Sequence, residues 1–209
     1  MTTRTSSNSG QTQRAATERP YHHGHLRTAL LEQAARTVRE QGVEELSLRE
    51  LARQVGVSHS APRRHFADLQ ALYTALAEDG FVRLGDQLRT AIEDAGPEFA
   101  ARLQAAAAAY IRFATSEAAL LELMFASKQH ENARKLHEAT ERAFAPMLDL
   151  IYEGQAAGVL DQVNPERVGL LLFATVQGIA SLVTSGIIQA GQVDELVSDA
   201  SAHFLRTGL

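Results

Sequence analysis

Two hundred and nine residues suffice for one or two domains with a sizeable core. Without a single Cys, disulfides, thiolate metal sites and a Cys nucleophile are excluded, and a composition led by Ala, Leu, Glu, Gln and Arg with five Pro predicts an all-helical protein. The net charge of −5 conceals an asymmetry: residues 1–66 carry ten Arg against six Glu, and residues 67–209 carry ten Lys or Arg against nineteen Asp or Glu. A basic first third suits a polyanion, which the acidic remainder would avoid.

Residues 1–20 are polar and rich in Ser, Thr and Gln, and they read as a disordered arm. Arg4, Arg14 and Arg19 either touch phosphates or a minor groove, or belong to a passive tail. No apolar run marks a signal peptide, and the absence of Cys fits a reducing cytoplasm. Leu26, Leu30, Ala34 and Val38 then repeat every four residues, predicting an amphipathic helix that Gly42 ends. His22, His23 and His25 lack a neighbouring Cys, Asp or Glu, so they point to phosphate contact at a helix start rather than to a metal.

The stretch 47–66, SLRELARQVGVSHSAPRRHF, organises the chain. Ser47 and Glu50 predict a capping box and a helix carrying Leu51, Ala52 and Val55 inward. Gly56 supplies the positive φ of a helix end, and Ala52 lets a second helix cross closely. Ser58 predicts the N-cap of that helix, about residues 58–66. It would bury Ala61, Pro62 and Phe66 and present His59, Ser60, Arg63 and Arg64. This is the pattern of a helix-turn-helix, although a plain helical hairpin fits the same spacing.

Residues 68–95 predict one long helix or two abutting ones, with Gly80 and Gly85 permitting either a bend or close packing. Gly96-Pro97 marks a boundary, with Pro97 expected to open the next helix. Further helices follow around residues 118–132, around 133–158 with Pro146 inside, and at 165–190. From Val168 to Gln189 there is no charge, but Thr175, Gln177, Ser181, Thr184 and Ser185 interrupt the run, so a helix buried on nearly every side is expected rather than a membrane span. Ala174, Gly178, Ser181 and Ser185 form a small-residue stripe on it. A final helix brings Val193, Leu196, Val197 and Phe204 near one face.

On YHHGHLRTALLEQA and SLRELARQVGVSHSAPRRHFADLQALYTAL the sequence resembles the DNA-binding domain of the tetracycline-repressor (TetR) family. Arg63 stands where that family usually has Tyr, and Leu69 where it has Lys. The resemblance implies an all-α fold: an arm (1–20), a three-helix helix-turn-helix domain (21–80) and a larger helical regulatory and dimerisation domain (81–209). It implies a homodimer on palindromic double-stranded operator DNA, most often a repressor, and a small-molecule effector. Base edges would fall to His59, Ser60 and Arg63. Phosphates would fall to Ser47, Arg64, His65 and the amides near His23 and Gly24, with Ser58 a further DNA-binding residue. Leu123-Met124-Phe125 and Phe173 to Gly178 are similar to a subgroup with a Trp-x-x-x-His-Gly motif, with Phe173 for the Trp and Gln177 for the His.

Candidate effector residues are Phe99, Tyr110, Phe113, Met124, Phe125, His130, Phe144, Met147, Phe173 and Gln177. With lysine only at 128 and 135, and Arg112 as one other cation, they favour a mostly apolar, neutral or weakly polar effector. Dimerisation candidates are Ala174, Gly178, Ser181, Ser185, Leu196 and Phe204. No cofactor or metal is implied. The rivals are an effector-independent architectural protein and a helical enzyme, for which His130, Glu131 and His137 would be the cluster to test.

Overall fold

A computed structural model describes residues 23–127 and 134–207, without the side chains at 23–25, 206 and 207. The arm with its arginines, His22, and His130 and Glu131 lie outside the described residues. Eight α-helices occur among those described: α1 (His23–Gln41), α2 (Leu48–Val55), α3 (Leu69–Asp94), α4 (Phe99–Ser116), α5 (Ala118–Ser127), α6 (Arg134–Ala156), α7 (Pro165–Thr184) and α8 (Val193–Thr207). No strand is found among these residues.

The head is built from α1, α2 and the segment after them. Leu30, Ala34 and Val38 of α1 are buried with Leu51 and Ala52 of α2 and with Phe66. Gly42 ends α1 at φ 95°, and Gly56 ends α2 in the left-handed region at φ 76°. The capping box is only half made. The Ser47 Oγ accepts from the Glu50 N–H at 3.1 Å, but the Glu50 carboxylate turns to Arg53 and Gln54. Arg53's hydrogen bond holds the Glu50 carboxyl below the usual carboxylate range.

The second helix of the motif departs from expectation. Residues 58–66 form turns around a single 3₁₀ element, Pro62–Arg64, and not an α-helix capped by Ser58. Proline explains this. An α-helix from Ser58 would need the Pro62 N–H to reach the Ser58 carbonyl, and Pro62 has none. The Ser58 carbonyl accepts instead from Ala61 N at 3.0 Å, one residue earlier.

Helix α3 has 26 residues and crosses residue 80 without a break, so one helix links the head to the regulatory domain. Asp68 caps it, accepting from Ala71 N at 2.8 Å. Leu69 follows as its first residue, half-buried against the core. The rest of α3 is the spine of the regulatory domain, with Leu76, Phe81, Leu84 and Leu88 buried among α4, α5 and α6. Gly80 and Gly85 serve close packing. A Cβ at Gly85 would lie 2.8 Å from the Ala143 Cα of α6, and one at Gly80 would lie 2.6 Å from the Met124 sulfur of α5.

Two other expectations change. Pro97 precedes α4 rather than opening it, because Glu98 is the N-cap. Pro146 sits inside α6, where the sequence placed it. Helix α7 has the length and composition to cross a membrane. It is not buried on nearly every side: only Val168, Leu172 and Ala180 are buried, while Leu170 is 66% and Ile187, just beyond it, 72% exposed. Inside one protomer α7 has neighbours on one side alone.

A polar joint ties the head to the regulatory domain. Glu117, 8% exposed at the end of α4, accepts from Arg39 of α1 and from Arg83 of α3 at 3.4 Å. Arg83 also donates to Asp79 at 3.1 Å.

Gly85→Ala is expected to lower stability by up to about 2 kcal/mol. Overpacking a helix contact typically costs about 1–3 kcal/mol, and the gain of about 1 kcal/mol in helix propensity offsets only part of it. Thermal unfolding against the wild type checks this; a rise in melting temperature would mean that α3 and α6 separate freely.

Candidate nucleic-acid interface and regulatory cavity

The exposed side of the head gathers the expected reading residues. Ser58, His59, Ser60, Arg63 and Arg64 are all exposed, and His65 is half-exposed. Phe66 beneath them is buried, 2% exposed, with its ring 6.5 Å from that of His65 and under the Arg27 guanidinium at 5.6 Å. The 3₁₀ element is thus pinned from below by Pro62 and Phe66, and its two arginines face outward. Ser58 Oγ lies 3.3 Å from Ser60 Oγ, so this pair holds the turn in place of an N-cap. Ser47 keeps a hydroxyl hydrogen to donate, since its oxygen serves only as acceptor to Glu50 N. His23 and Gly24 begin α1, and their side-chain positions lie outside those described. Leu69 is occupied in packing and adds no charge.

The regulatory domain encloses a cavity of about 630 Å³ between α4, α6, α7 and α8. Five expected residues line it: Tyr110, Phe125, Phe144, Met147 and Phe173. Phe173 is the centre of an edge-to-face cluster, with ring centroids 5.6 Å from Tyr110, 5.9 Å from Phe125 and 5.4 Å from Phe144. The Tyr110 hydroxyl donates to Gln177 Oε1, and burial pushes its phenol well above the ordinary range. Gln177 therefore reaches the cavity through Tyr110 rather than as a lining residue.

Three expected residues do not belong. Phe113 and Met124 are fully buried in the core, and Phe99 rests on Gly154 of α6. Arg112 is exposed and lines no part of the cavity. Phe204 faces inward and lines the cavity, so it leaves the set of interface residues. Sequence reasoning missed Ser201, Glu141 and Glu166, which line it too. Positions 197, 200, 201 and 204 of α8 do fall at helical spacing, a signal that was present. On the other side of α7, Ala174, Gly178, Ser181 and Ser185 are exposed together, and a Cβ at Gly178 would meet nothing within 4 Å. Leu196 is half-buried.

Residues 30–76 match the family model of bacterial regulatory proteins of the tetR family, and residues 103–205 match a tetracyclin repressor-like C-terminal domain. The chain belongs to the TetR family. Neither match names the Trp-x-x-x-His-Gly subgroup. A solved structure of a protein of unknown function from Rhodococcus sp. RHA1 is 44% identical, with a TM-score of 0.83 over 90% of this chain and 98% of that one. A TetR family transcription regulator from Marinobacter aquaeolei VT8 shares the fold at 16% identity, with a TM-score of 0.67 over 86% and 95% of the two chains. The fatty acid degradation regulator FadR from Bacillus halodurans does so at 15% identity, with a TM-score of 0.70 over 86% and 98%. No curated protein matches the chain. This TetR-family chain is a transcriptional regulator with a helix-turn-helix, and the plain-hairpin reading falls.

Arg64→Ala is expected to weaken binding to operator and random duplex alike. It should also reduce the slope of log K against log salt by about 1, as loss of one phosphate contact does. A loss confined to the operator would reassign Arg64 to base reading.

Proposed function

We propose that this TetR-family regulator is a cytoplasmic homodimeric repressor, released from a palindromic operator by a small, mostly apolar effector. The observation that carries this reading is the cavity. Its volume of about 630 Å³ is that of a small-molecule site, and its walls are chiefly aliphatic and aromatic. His59, Ser60 and Arg63 would meet base edges. Ser47, Ser58, Arg64, His65 and the amides near His23 and Gly24 would hold phosphates.

Release follows from how the rings are stacked. An effector against Phe173 presses on Phe125, whose ring lies 5.9 Å from that of Phe81 on α3. Helix α3 ends at the head, so a small displacement of Phe81 moves the reading residues. The effector shifts the population by the difference in its affinity for the two arrangements. Dimerisation would cover the open face of α7, and two heads would then meet successive major grooves about 34–36 Å apart.

The decisive experiment is a mobility-shift assay with the DNA upstream of the protein's own gene, followed by a ligand screen scored by thermal shift and by release. Phe173→Ala is expected to change effector response while leaving effector-free operator binding within a few-fold of wild type. If only strongly charged metabolites without an apolar body released the protein, or if the wild type bound no DNA, the reading would fail.

Gly178→Leu tests the dimer separately. Within one protomer the added side chain meets open space, so helical content should persist. Across a dimer it overpacks, at a cost of roughly 1–3 kcal/mol. Sedimentation should give a dimer for the wild type at micromolar concentration and a weakened one for the variant. A monomeric wild type refutes the arrangement.

A further inference from the structure

We infer that the effector carries a basic head: an apolar body with a protonated amine or related cation, rather than a carboxylate or phosphate. This deepens the reading of the cavity as the effector site and rests on it. The charged side chains that border the cavity are Glu141 of α6 and Glu166 of α7, and no Lys, Arg or His borders it among the described residues. Both glutamates are exposed, which puts them at the mouth, while the deeper wall is formed by the Phe173 cluster and by Phe204.

Each glutamate has an alternative use, and neither removes the asymmetry. Glu141 lies 3.2 Å from His137, one turn back on α6, in a solvent-exposed pair whose His is charged only when protonated. Such a pair is worth little and exchanges readily. Glu166 sits in the first turn of α7, where the helix dipole favours an acid. Its carboxylate has no ion pair among the described residues. The dipole explains why an acid is tolerated there. It does not explain why a cavity in a chain with twenty Lys and Arg has none of them on its wall.

The physical consequence is a selectivity filter by sign. A mouth carrying two carboxylates raises the local concentration of cations and repels anions. Beyond the mouth the wall includes Phe144 and Phe173, and an aromatic face favours a cation over an anion. A fatty acid has the right body for this cavity and the wrong head. Ser201, buried to 4% exposure on the α8 wall, provides a neutral polar contact for the far end.

The test uses the full-length protein and three ten-carbon probes that differ only in the head: decylamine, decanol and decanoate, at pH 7 and low salt. The amine is then protonated and the acid ionised. Binding is read by calorimetry, with decanol as the uncharged reference. Decylamine should bind about tenfold more tightly than decanoate, the scale of two exposed charge interactions of opposite sign. Added salt should narrow the gap. In Glu141→Gln/Glu166→Gln the ratio should fall toward one. Decanol binding with no preference for the amine, or a preference that survives the double variant, overturns the inference and leaves the cavity's role standing. If none of the three binds a protein that still binds its operator, the cavity is not the effector site and the inference falls with it.

Discussion

The structure depends on the close approach of α3 and α6 at Gly85 and Ala143. A side chain at position 85 would collide with backbone, so the two helices meet without one. Around that contact α3 is buried on its inner face from Leu72 to Ile92. Because α3 is continuous from Leu69 to Asp94, the same helix also sets the position of the head. A bend at Gly80 would have separated the two tasks. The backbone is helical through both glycines, and small size rather than flexibility is what they supply.

The joint at Glu117 adds a second constraint. Arg39 comes from the head, Arg83 from α3 and Glu117 from the regulatory domain, so three parts of the chain converge on one carboxylate. Glu117 is buried while both arginines are partly exposed, so desolvation of the carboxylate offsets much of the attraction and the net stability gained is small. Losing both arginines is costly, since the Glu117 charge then stays buried alone. The joint therefore favours one docking of α1 over shifted alternatives without greatly deepening the fold. Nothing in the sequence spacing marks it: residues 39 and 83 lie on two helices and 117 in the turn between α4 and α5, and only their packing brings them together.

Much of the fold was legible because its signals are local. The period of Leu26, Leu30, Ala34 and Val38, the positive-φ glycines at 42 and 56, and the Ser47 cap each act within a few residues. The recognition segment was misread for an equally local reason. Pro62 falls at the position that must donate the first α-helical bond from Ser58, and the motif's overall pattern outweighed that in the reading. The cavity was legible by residue type but not by membership. Tyr110, Phe125 and Phe173 were nameable as large apolar residues, yet so were Phe99 and Phe113, and only tertiary packing sorts them. Phe204 shows the same limit on α8, where the apolar stripe is clear but what it faces is not.

The distance between cavity and head decides how a signal can pass. Leu69 begins α3 beside the reading residues, and Leu88 lies in the cavity wall. The helix between them covers about 28 Å at about 1.5 Å per residue. The Debye length at physiological ionic strength is about 8 Å. A charge at the level of Leu88 is therefore largely screened from the residues at the start of α3. Over that span electrostatics is a weak route from cavity to head. On the proposed reading release would travel through packed contacts instead, and the rings of Phe173, Phe125 and Phe81 form a continuous path from the cavity to α3.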